Sequence, residues 1–514
     1  MSATEPSASE AARERESKDP YRTVRTSAAS GFSARGLATL PSTQSSNRAT
    51  EPSLSEAEGA RKQPAVLQLP NPNPPRLTLP IRTISLILAL AAAAFAQNSA
   101  PDAALAAEVS AVYPQVEALY LDLHQSPELS TLEVKTSAKL ADALRKLGYE
   151  VTDHVGGYGV VGILRNGPGP VIMLRTDMDA LPVEEKTGVP YASHVRAQDI
   201  TGNMVPVMHA CGHDIHMSAW IGTATIMAHT RERWSGTLML IGQPAEERVM
   251  GAAAMLKDGL FTRFPKPNVA FGAHDSAVLP AGQVGIVAGP AMASSDSLNI
   301  TIFGRGGHGA SPHTTIDPIV IAARSILAFQ TLISREKDPL EPAVVTVGAI
   351  HGGTKNNIIP DQVELQLSVR AFTKAVRKQL LQGIERIVDT EAAAANAPRK
   401  PEIKLIESTK ALVNDPDLVA RLVPVLAREL GAAAIAKFKP FTASEDFSEY
   451  VDAGVPGFFL NVGGVPQAKF DAAQGDPAKL PSLHSSLWAP DYNPTLHTFI
   501  AAEVAVLRDL LRKP

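Results

Sequence analysis

The sequence predicts an α/β protein into which a smaller α+β unit is inserted. From about residue 107 helical and strand patterns alternate, and one predicted strand, "PVIMLRTDMDALP", begins with the continuous apolar run of a strand buried on both faces. Between about residues 289 and 399 the order changes to strand, helix, strand, strand, helix. We therefore expect a larger domain in two parts, 107–288 and 400–514, with an inserted domain over 289–399.

The larger domain is predicted to begin with helix. Residues 108–146 carry apolar positions at helical spacing and end before Gly148, a predicted C-cap. Strands are then predicted in "YGVVGILRN", "PVIMLRTDMDALP", "TLMLIGQPAEE" and "NVAFGAHD", and most of them run into polar residues. Functional sites of α/β proteins collect at the carboxyl ends of strands, so these polar residues are the first candidates for chemistry. A last helix is predicted from about Pro494.

The inserted domain is predicted from its own order of elements. "SDSLNITIFGRG", "AVVTVGAI" and "VELQLSVRAF" indicate strands, 315–333 indicates a helix, and 374–396 indicates an Ala-rich helix. After Pro401 the α/β pattern is expected to resume.

Composition and charge exclude several classes of protein. The 514 residues are 45% apolar, which is ample for a buried core. Forty-eight basic and 52 acidic residues give a net charge of −4 without long basic clusters, so we expect no nucleic-acid partner. The single cysteine, Cys211, cannot form an internal disulfide; it is a core thiol, an intermolecular link, a nucleophile or a metal ligand.

The N-terminal region differs from the rest of the chain. Residues 1–81 are rich in Ser, Ala, Pro and charge, and we expect them to be disordered. Residues 82–96 resemble a signal peptide: Arg82 precedes an apolar run too short to span a bilayer, and "AFA" provides small residues for cleavage. The alternative is a buried apolar helix.

Two expectations follow from that signal-like segment. Because it lies so far into the chain, we expect translation to start downstream of Met1. We expect export to the periplasm or medium without stable membrane insertion, and a cytoplasmic location if the segment is not used. After export, coordination by a metal would protect the unpaired thiol of Cys211.

Four polar clusters far apart in sequence are candidates for a metal site. They are Cys211 with His213, Glu246 with Glu247, His274 and His484. Thiolate, imidazole and carboxylate together suit zinc, manganese, cobalt or nickel, although a lone histidine is more often a surface or core residue. The adjacent glutamates can divide metal binding from general-base work, or they can form the acidic first turn of a helix.

Seven ordered motifs carry a resemblance to a known family. They are "LHQSPELSTLE", "RTDMDALPVEE", "MHACGHDIHM", "GQPAEE", "GRGGHGASPH", "NNIIPD" and "SEDFSEY". Residues 115–510 resemble the dinuclear-metal amidohydrolases and carboxypeptidases, which include aminoacylases, hippurate hydrolases and plant hydrolases of indoleacetyl amino acids. The resemblance implies a metallopeptidase-like catalytic domain, a mixed sheet flanked by helices, and an inserted lid and dimerisation domain.

The resemblance also implies roles for individual residues. Glu246 would be the general base, and Asp179 an orienting carboxylate. Asp177 would be a ligand, with the alternative of a strand-end residue that caps a turn. Two divalent ions, of manganese, zinc, nickel or cobalt, would be held by five side chains: Cys211, His213, Glu247, His274 and His484.

The inserted domain would contribute further residues. His308 would stabilise the oxyanion, often from the partner subunit, which implies a homodimer or higher homo-oligomer. Asn357 and Arg370 would hold the substrate carboxylate, with a solvated strand residue as the alternative for Arg370. The chain departs from its relatives after His274, where Asp275 and Ser276 predict a more polar pocket wall.

The function implied is hydrolysis of the amide bond of N-acyl amino acids, hippurate-like compounds or other amino-acid conjugates, by metal-activated water. Alternatives on the same scaffold are a dipeptidase or carboxypeptidase, an N-acetyl-diaminopimelate deacetylase and a hydrolase of aryl-glutamates. A catalytically silent binding protein is the alternative from another class; the presence of all five ligand positions together with Glu246 disfavours it.

Overall fold

The computed structural model describes residues 102–513. The disordered segment predicted over 1–81 and the signal peptide predicted over 82–96 lie outside the described residues. Before the inserted domain, the helices are α1 (Ala103–Gln125), α2 (Val134–Lys146), α3 (His213–His229), α4 (Gly251–Lys257) and α5 (Leu260–Arg263). The strands there are β1 (Glu150–Val155), β2 (Gly159–Asn166), β3 (Val171–Asp177), β4 (Arg196–Gln198), β5 (Met204–Pro206), β6 (Gly236–Gln243), β7 (Val269–Pro280), β8 (Val284–Ile286) and β9 (Gly289–Met292).

The remaining elements complete both domains. The inserted domain contains β10 (Ser294–Phe303), β11 (Gly307–His308), α6 (Pro318–Thr331), β12 (Ala343–His351), β13 (Ile358–Ile359), β14 (Gln362–Ala371), α7 (Lys374–Ala394) and β15 (Glu402–Thr409). The last part contains β16 (Leu412–Asn414), α8 (Pro416–Leu430), β17 (Ile435–Lys437), α9 (Ser448–Asp452), β18 (Gly457–Val465), α10 (Gln467–Ala473) and α11 (Tyr492–Leu510).

An eight-stranded mixed sheet forms the centre of the larger domain. Its order is β1-β2-β6-β3-β7-β18-β8-β17, with parallel pairs around β3 and β7 and antiparallel pairs at β1, β2 and β8. One large apolar cluster joins the sheet to α1, α2, α3, α8 and α11, and a second joins it to α4, α5 and α9. The predicted α/β class with a mixed sheet flanked by helices is therefore confirmed.

A four-stranded antiparallel sheet, ordered β12-β14-β10-β15, forms the inserted domain. Helices α6 and α7 cover one face and bury Phe329, Leu380 and Ile384 against it. The stretch Pro318–Glu336 is long and apolar enough, by length and composition alone, to cross a membrane, and 33% of its most apolar window is buried.

The structure differs from the sequence prediction at three boundaries. The helical stretch 108–146 is two helices, because Pro127 disfavours helical backbone at Ser126 and α1 ends there. Strand β7 continues past His274 to Pro280, paired with β18. The inserted sheet extends past residue 399, because β15 pairs with β10 along most of its length.

Candidate metal centre and active site

A tight turn places Cys211 and His213 side by side at the start of α3. Gly212 between them has a φ of 76°, a left-handed conformation that residues with a Cβ rarely adopt. A Cβ on Gly212 would lie 2.4 Å from Oδ2 of Asp275. Backbone conformation and space therefore both require glycine in the Cys-Gly-His segment.

The five side chains predicted as metal ligands converge at one edge of the central sheet. The Sγ atom of Cys211 lies 3.1 Å from Nε2 of His484 and 3.5 Å from Nε2 of His274. Oε1 of Glu247 lies 3.4 Å from Nε2 of His484 and 3.9 Å from Nε2 of His213. Four segments that are far apart in sequence thus bring sulfur, nitrogen and oxygen donors together.

Hydrogen bonds behind the imidazoles orient their donor atoms. Nδ1 of His213 donates to the carbonyl oxygen of Asp179 at 2.8 Å, and Nδ1 of His274 donates to that of Asp275 at 2.7 Å. This tautomer leaves Nε2 of each ring unprotonated and directed into the cluster. A histidine that binds a metal through Nε2 needs this free nitrogen, and the hydrogen bond from Nδ1 holds the ring in place.

His484 reaches the cluster on strained backbone. Its φ is 66°, in the left-handed region, and its N–H donates to the carbonyl oxygen of Ala210 at 2.8 Å. Strain of this kind, held by surrounding structure, is typical of functional positions.

Unsatisfied donor atoms indicate that the cluster fits a cation. Nε2 of His213 and Oε1 of Glu247 are buried without a hydrogen-bond partner among the described residues. Burying such polar atoms costs free energy unless a bound ligand interacts with them. Burial, followed by the charges of Glu247 and Asp275, raises the pKa of the Cys211 thiol, so a positive charge is needed to favour the thiolate.

Asp179 holds the backbone of the two adjacent glutamates. Its carboxylate accepts hydrogen bonds from the N–H groups of Glu246 at 3.1 Å and Glu247 at 3.0 Å, and from the hydroxyl of Ser130. Glu133, which sequence reasoning did not single out, accepts the N–H of Ala245 at 2.8 Å. The structure thus places Asp179 behind the glutamate pair, where it fixes their position.

Asp177 is engaged on both of its oxygens. Oδ2 accepts from Nη1 of Arg175 at 2.7 Å, and Oδ1 accepts from Nδ1 of His216 at 2.7 Å. Nε2 of His216 in turn accepts the N–H of Asp275 at 2.8 Å. Asp177, implied to be a ligand with a turn-capping residue as the alternative, is thus part of a buried ion pair with Arg175. One of its oxygens and ring nitrogens of His213, His216 and His274 lie within 4.8 Å of one another, so this group also has the donor atoms for a metal ion.

A buried acidic group surrounds Glu246. Oxygen atoms of Glu246, Glu445 and Asp446 lie within 4.8 Å of one another, and the guanidinium of Arg175 bonds Glu445 at 2.8 Å and Asp446 at 3.0 Å. Burial, then the charges of Glu445 and Glu247, raises the pKa of the Glu246 carboxyl well above its ordinary value. A carboxyl with a raised pKa is suited to both accepting and releasing a proton.

Arg370, from the inserted domain, lines a cavity of about 980 Å³ that also contains predicted metal ligands. The cavity is lined by Cys211, Glu246 and Glu247 at one end and by Arg370 of β14. Nη1 of Arg370 lies 3.3 Å from Oγ of Ser444, and within residues 102–513 no carboxylate oxygen lies within 4.0 Å of its guanidinium. The half-buried guanidinium is therefore available to an anionic group of a ligand.

His308 and Asn357 lie beside each other but do not line the cavity of their own chain. His308 is on β11, which pairs with β13, and the neighbouring Gly309 donates its N–H to the carbonyl oxygen of Asn357 at 2.8 Å. Both side chains are exposed. The structure thus brings together two predicted residues on the surface of the inserted domain, apart from the five predicted metal ligands.

Asp275 and Ser276, the residues predicted to make the pocket wall beside His274 more polar, do line the cavity, although little of either side chain is exposed. The carboxylate of Asp275 is buried: it accepts from Nε1 of Trp488 at 3.1 Å and lies 3.3 Å from Nε2 of His216. Ser276 is also buried, and its hydroxyl accepts the N–H of Val278 at 3.3 Å. Ala277, Val278 and Leu279, which follow on β7, are apolar and also line the cavity.

Comparison with known proteins decides the family. The model of peptidase family M20/M25/M40 matches residues 173–477, more than half of the chain. The chain belongs to this family. The predicted resemblance is therefore confirmed, and this M20/M25/M40 protein is a metal-dependent hydrolase.

Several relatives of this hydrolase are similar over most of their length. Thermostable carboxypeptidase 2 of Saccharolobus solfataricus is 37% identical over 66% of this chain and 84% of that protein. N-acetyl-L-cysteine deacetylase of Bacillus subtilis is 36% identical over 69% of this chain and 82% of that protein. Hippurate hydrolase of Campylobacter jejuni is 37% identical over 67% of this chain and 87% of that protein. The Bacillus subtilis YXEP structure, described as a dinuclear metal binding peptidase, is 31% identical with a TM-score of 0.63, covering 77% of this chain and 98% of that one.

Proposed function

We propose that this chain hydrolyses the amide bond of N-acyl amino acids with two bound divalent metal ions. The observation that carries the proposal is the convergence of five donor side chains at the end of a cavity that Arg370 also lines. Within residues 102–513, two of the buried donor atoms have no hydrogen-bond partner, and the guanidinium of Arg370 contacts hydroxyl and carbonyl oxygens but no carboxylate. Relatives named hippurate hydrolase and N-acetyl-L-cysteine deacetylase support the substrate class.

The metal ions would be held by the five converging side chains. Cys211, His213, Glu247, His274 and His484 provide soft and intermediate donors, which suit manganese, zinc, nickel or cobalt. Bound there, such ions would polarise the amide carbonyl and lower the pKa of water.

Glu246 would move the proton. Its carboxylate takes a proton from the attacking water and then delivers it to the leaving nitrogen. Asp179 holds the backbone N–H of Glu246, and Glu445 with Asp446 keeps its surroundings acidic. These contacts fix the carboxylate in position and keep its proton affinity high.

Arg370 would hold the carboxylate of the amino-acid part. A planar guanidinium can bind a carboxylate through two parallel hydrogen bonds, and this one has no acidic partner among the described residues. A carboxylate fixed there would orient the scissile amide toward Glu246.

His308 and Asn357 would act from a second subunit. They are exposed and adjacent on the inserted domain, and they are absent from the cavity of their own chain. A homodimer in which this surface covers the partner's cavity would place an oxyanion-stabilising imidazole and a carboxylate-binding amide at the site.

A carboxypeptidase is the second candidate. The thermostable carboxypeptidase relative supports it, and Arg370 would hold a peptide's C-terminal carboxylate equally well. Both candidates use the same proton transfer by Glu246.

Hydrolysis by the full chain distinguishes the candidates. Amine release would be measured with N-acetyl, N-benzoyl and N-octanoyl amino acids and with dipeptides, first after chelation and then after each divalent metal is added back. We expect activity to disappear on chelation and to return with one metal, with N-acyl amino acids preferred. Equal or faster cleavage of dipeptides would favour the carboxypeptidase, and no hydrolysis by protein with bound metal would overturn both.

A further inference from the structure

The cavity beside the metal ligands has an apolar wall that the mechanism does not use. This apolar wall consists of Val278, Leu279, Phe438, Phe441, Phe470 and Leu480, which come from three separate segments. Val278 is 47% exposed, and the three phenylalanines are only half-buried. Apolar surface left open in a concave site indicates an apolar ligand.

The apolar wall is fixed by packing on both sides. Phe438 and Phe441 form an edge-to-face pair with ring centroids 5.8 Å apart. Phe438 also packs closely on Gly285: a Cβ atom added to that glycine would lie only 2.6 Å from Cγ of Phe438. On the other side, Phe470 and Leu480 pack on a buried cluster that includes Trp488. The wall is thus formed before any ligand binds, which lowers the cost of binding.

The polar groups of the cavity limit where each part of a substrate can lie. The scissile amide must lie at Glu246 and the metal ligands, and the amino-acid carboxylate is assigned to Arg370. The acyl group is the remaining part. An acetyl group is a single methyl beyond the carbonyl, so it would leave most of the apolar wall in contact with water.

We propose that the acyl group is bulky and apolar, such as a medium-chain fatty acyl group, and that the apolar wall selects it over acetyl. The inference rests on the proposed function and adds the substrate class of that same site. Because an apolar wall that receives a methylene group removes it from water, each added CH₂ is expected to raise kcat/KM roughly fourfold until the wall is covered.

Glycine conjugates test the acyl side alone. The metal-loaded full chain would be assayed with N-acetylglycine, N-butanoylglycine, N-hexanoylglycine and N-octanoylglycine, which share one leaving group. We expect kcat/KM to rise along the series, to about 100-fold or more for octanoyl over acetyl. N-acetylphenylalanine, which moves the apolar bulk to the amino-acid side, should remain near N-acetylglycine.

The outcomes separate this inference from the proposed function. A flat or falling series with measurable hydrolysis of N-acetylglycine would overturn the inference and leave the proposed function standing. A larger gain with N-acetylphenylalanine than with N-octanoylglycine would also overturn it, since the wall would then take the amino-acid side chain. No hydrolysis of any conjugate would contradict the proposed function itself.

Variants of the wall provide an independent test. Val278→Asp places a charge where the octanoyl chain is expected, so the octanoyl-to-acetyl ratio of kcat/KM should fall by about tenfold or more. Leu480→Asp should lower the same ratio from the other side of the wall. The matched control is Ile200→Asp, at a residue that is 58% exposed between β4 and β5 and does not line the cavity; an unchanged ratio in both wall variants would overturn the inference.

Discussion

Glu246 and Asp179 are both acidic, but they have different contacts. The carboxylate of Asp179 accepts hydrogen bonds from two backbone N–H groups and a serine hydroxyl. Glu246, in contrast, lines the cavity next to other acidic groups. The first carboxylate fixes a position and the second remains available for proton transfer. The two positions can therefore be separated by mutation.

Replacing Glu246 by glutamine should abolish turnover without emptying the site. Glu246→Gln keeps the size of the side chain but removes the proton acceptor, so kcat should fall by about 10²- to 10⁴-fold. Metal content, measured by mass spectrometry, should equal that of the parent, as should that of Glu184→Gln, a control at an exposed position. Retained turnover would remove Glu246 from the mechanism.

The sequence was sufficient to find those site residues whose chemical types are themselves diagnostic of a metal site. Cys211, the adjacent glutamates and the separated histidines could be found because few other functions combine these groups. It was insufficient for Arg175, Glu445 and His216, because their roles depend on pairing across long separations. Arg175 and Glu445, for example, are 270 positions apart and meet only in the folded protein.

Helices α3 and α11 are joined by a buried polar contact. The hydroxyl of Thr223 donates to Oε2 of Glu503 at 2.6 Å between two otherwise apolar surfaces. Burial raises the pKa of Glu503 to about 8 from an ordinary value of 4.5. Since the folded state keeps this proton when the unfolded chain has lost it, stability falls as the pH rises between these two values.

The variant Glu503→Gln should remove this loss of stability at high pH. The amide still accepts the threonine hydrogen bond and carries no charge, so between pH 5 and pH 8 the parent should lose a few kcal/mol, about 3 to 5, relative to the variant. Urea unfolding at both pH values measures the difference. The control Glu385→Gln, at an exposed position of α7, should follow the parent. Parallel curves for Glu503→Gln and the parent would show that Glu503 ionises normally in the fold.

At the level of elements, periodicity predicted the strands well and their partners poorly. The pattern of β15 indicates an extended segment, but nothing local shows that it joins β10 instead of the central sheet. The end of β7 was missed for a related reason. The apolar pattern of "NVAFGAHD" ends at polar residues 275 and 276, and nothing local shows that pairing with β18 continues the strand to Pro280.

For the whole molecule, the proposed dimer makes a prediction about mixed subunits. A heterodimer of Glu246→Ala and His308→Ala chains, purified through two different tags, contains one site with both residues intact if His308 acts on the partner. Such a heterodimer should have about half of the parent's activity, although each homodimer is inactive. If His308 acts within its own chain, neither site is complete and the heterodimer should be inactive; failure to obtain any heterodimer would contradict the dimer itself.

The central claim is that five converging side chains form a metal centre on which hydrolysis depends. It is tested most directly by titrating metal into the chelated full chain while the rate of N-octanoylglycine hydrolysis is followed. The account predicts no activity at the start and a plateau near two ions per chain, with Cys211→Ala and His274→Ala unable to reach it. Activity that survives complete chelation, or a rate that does not change as metal binds, would contradict the account.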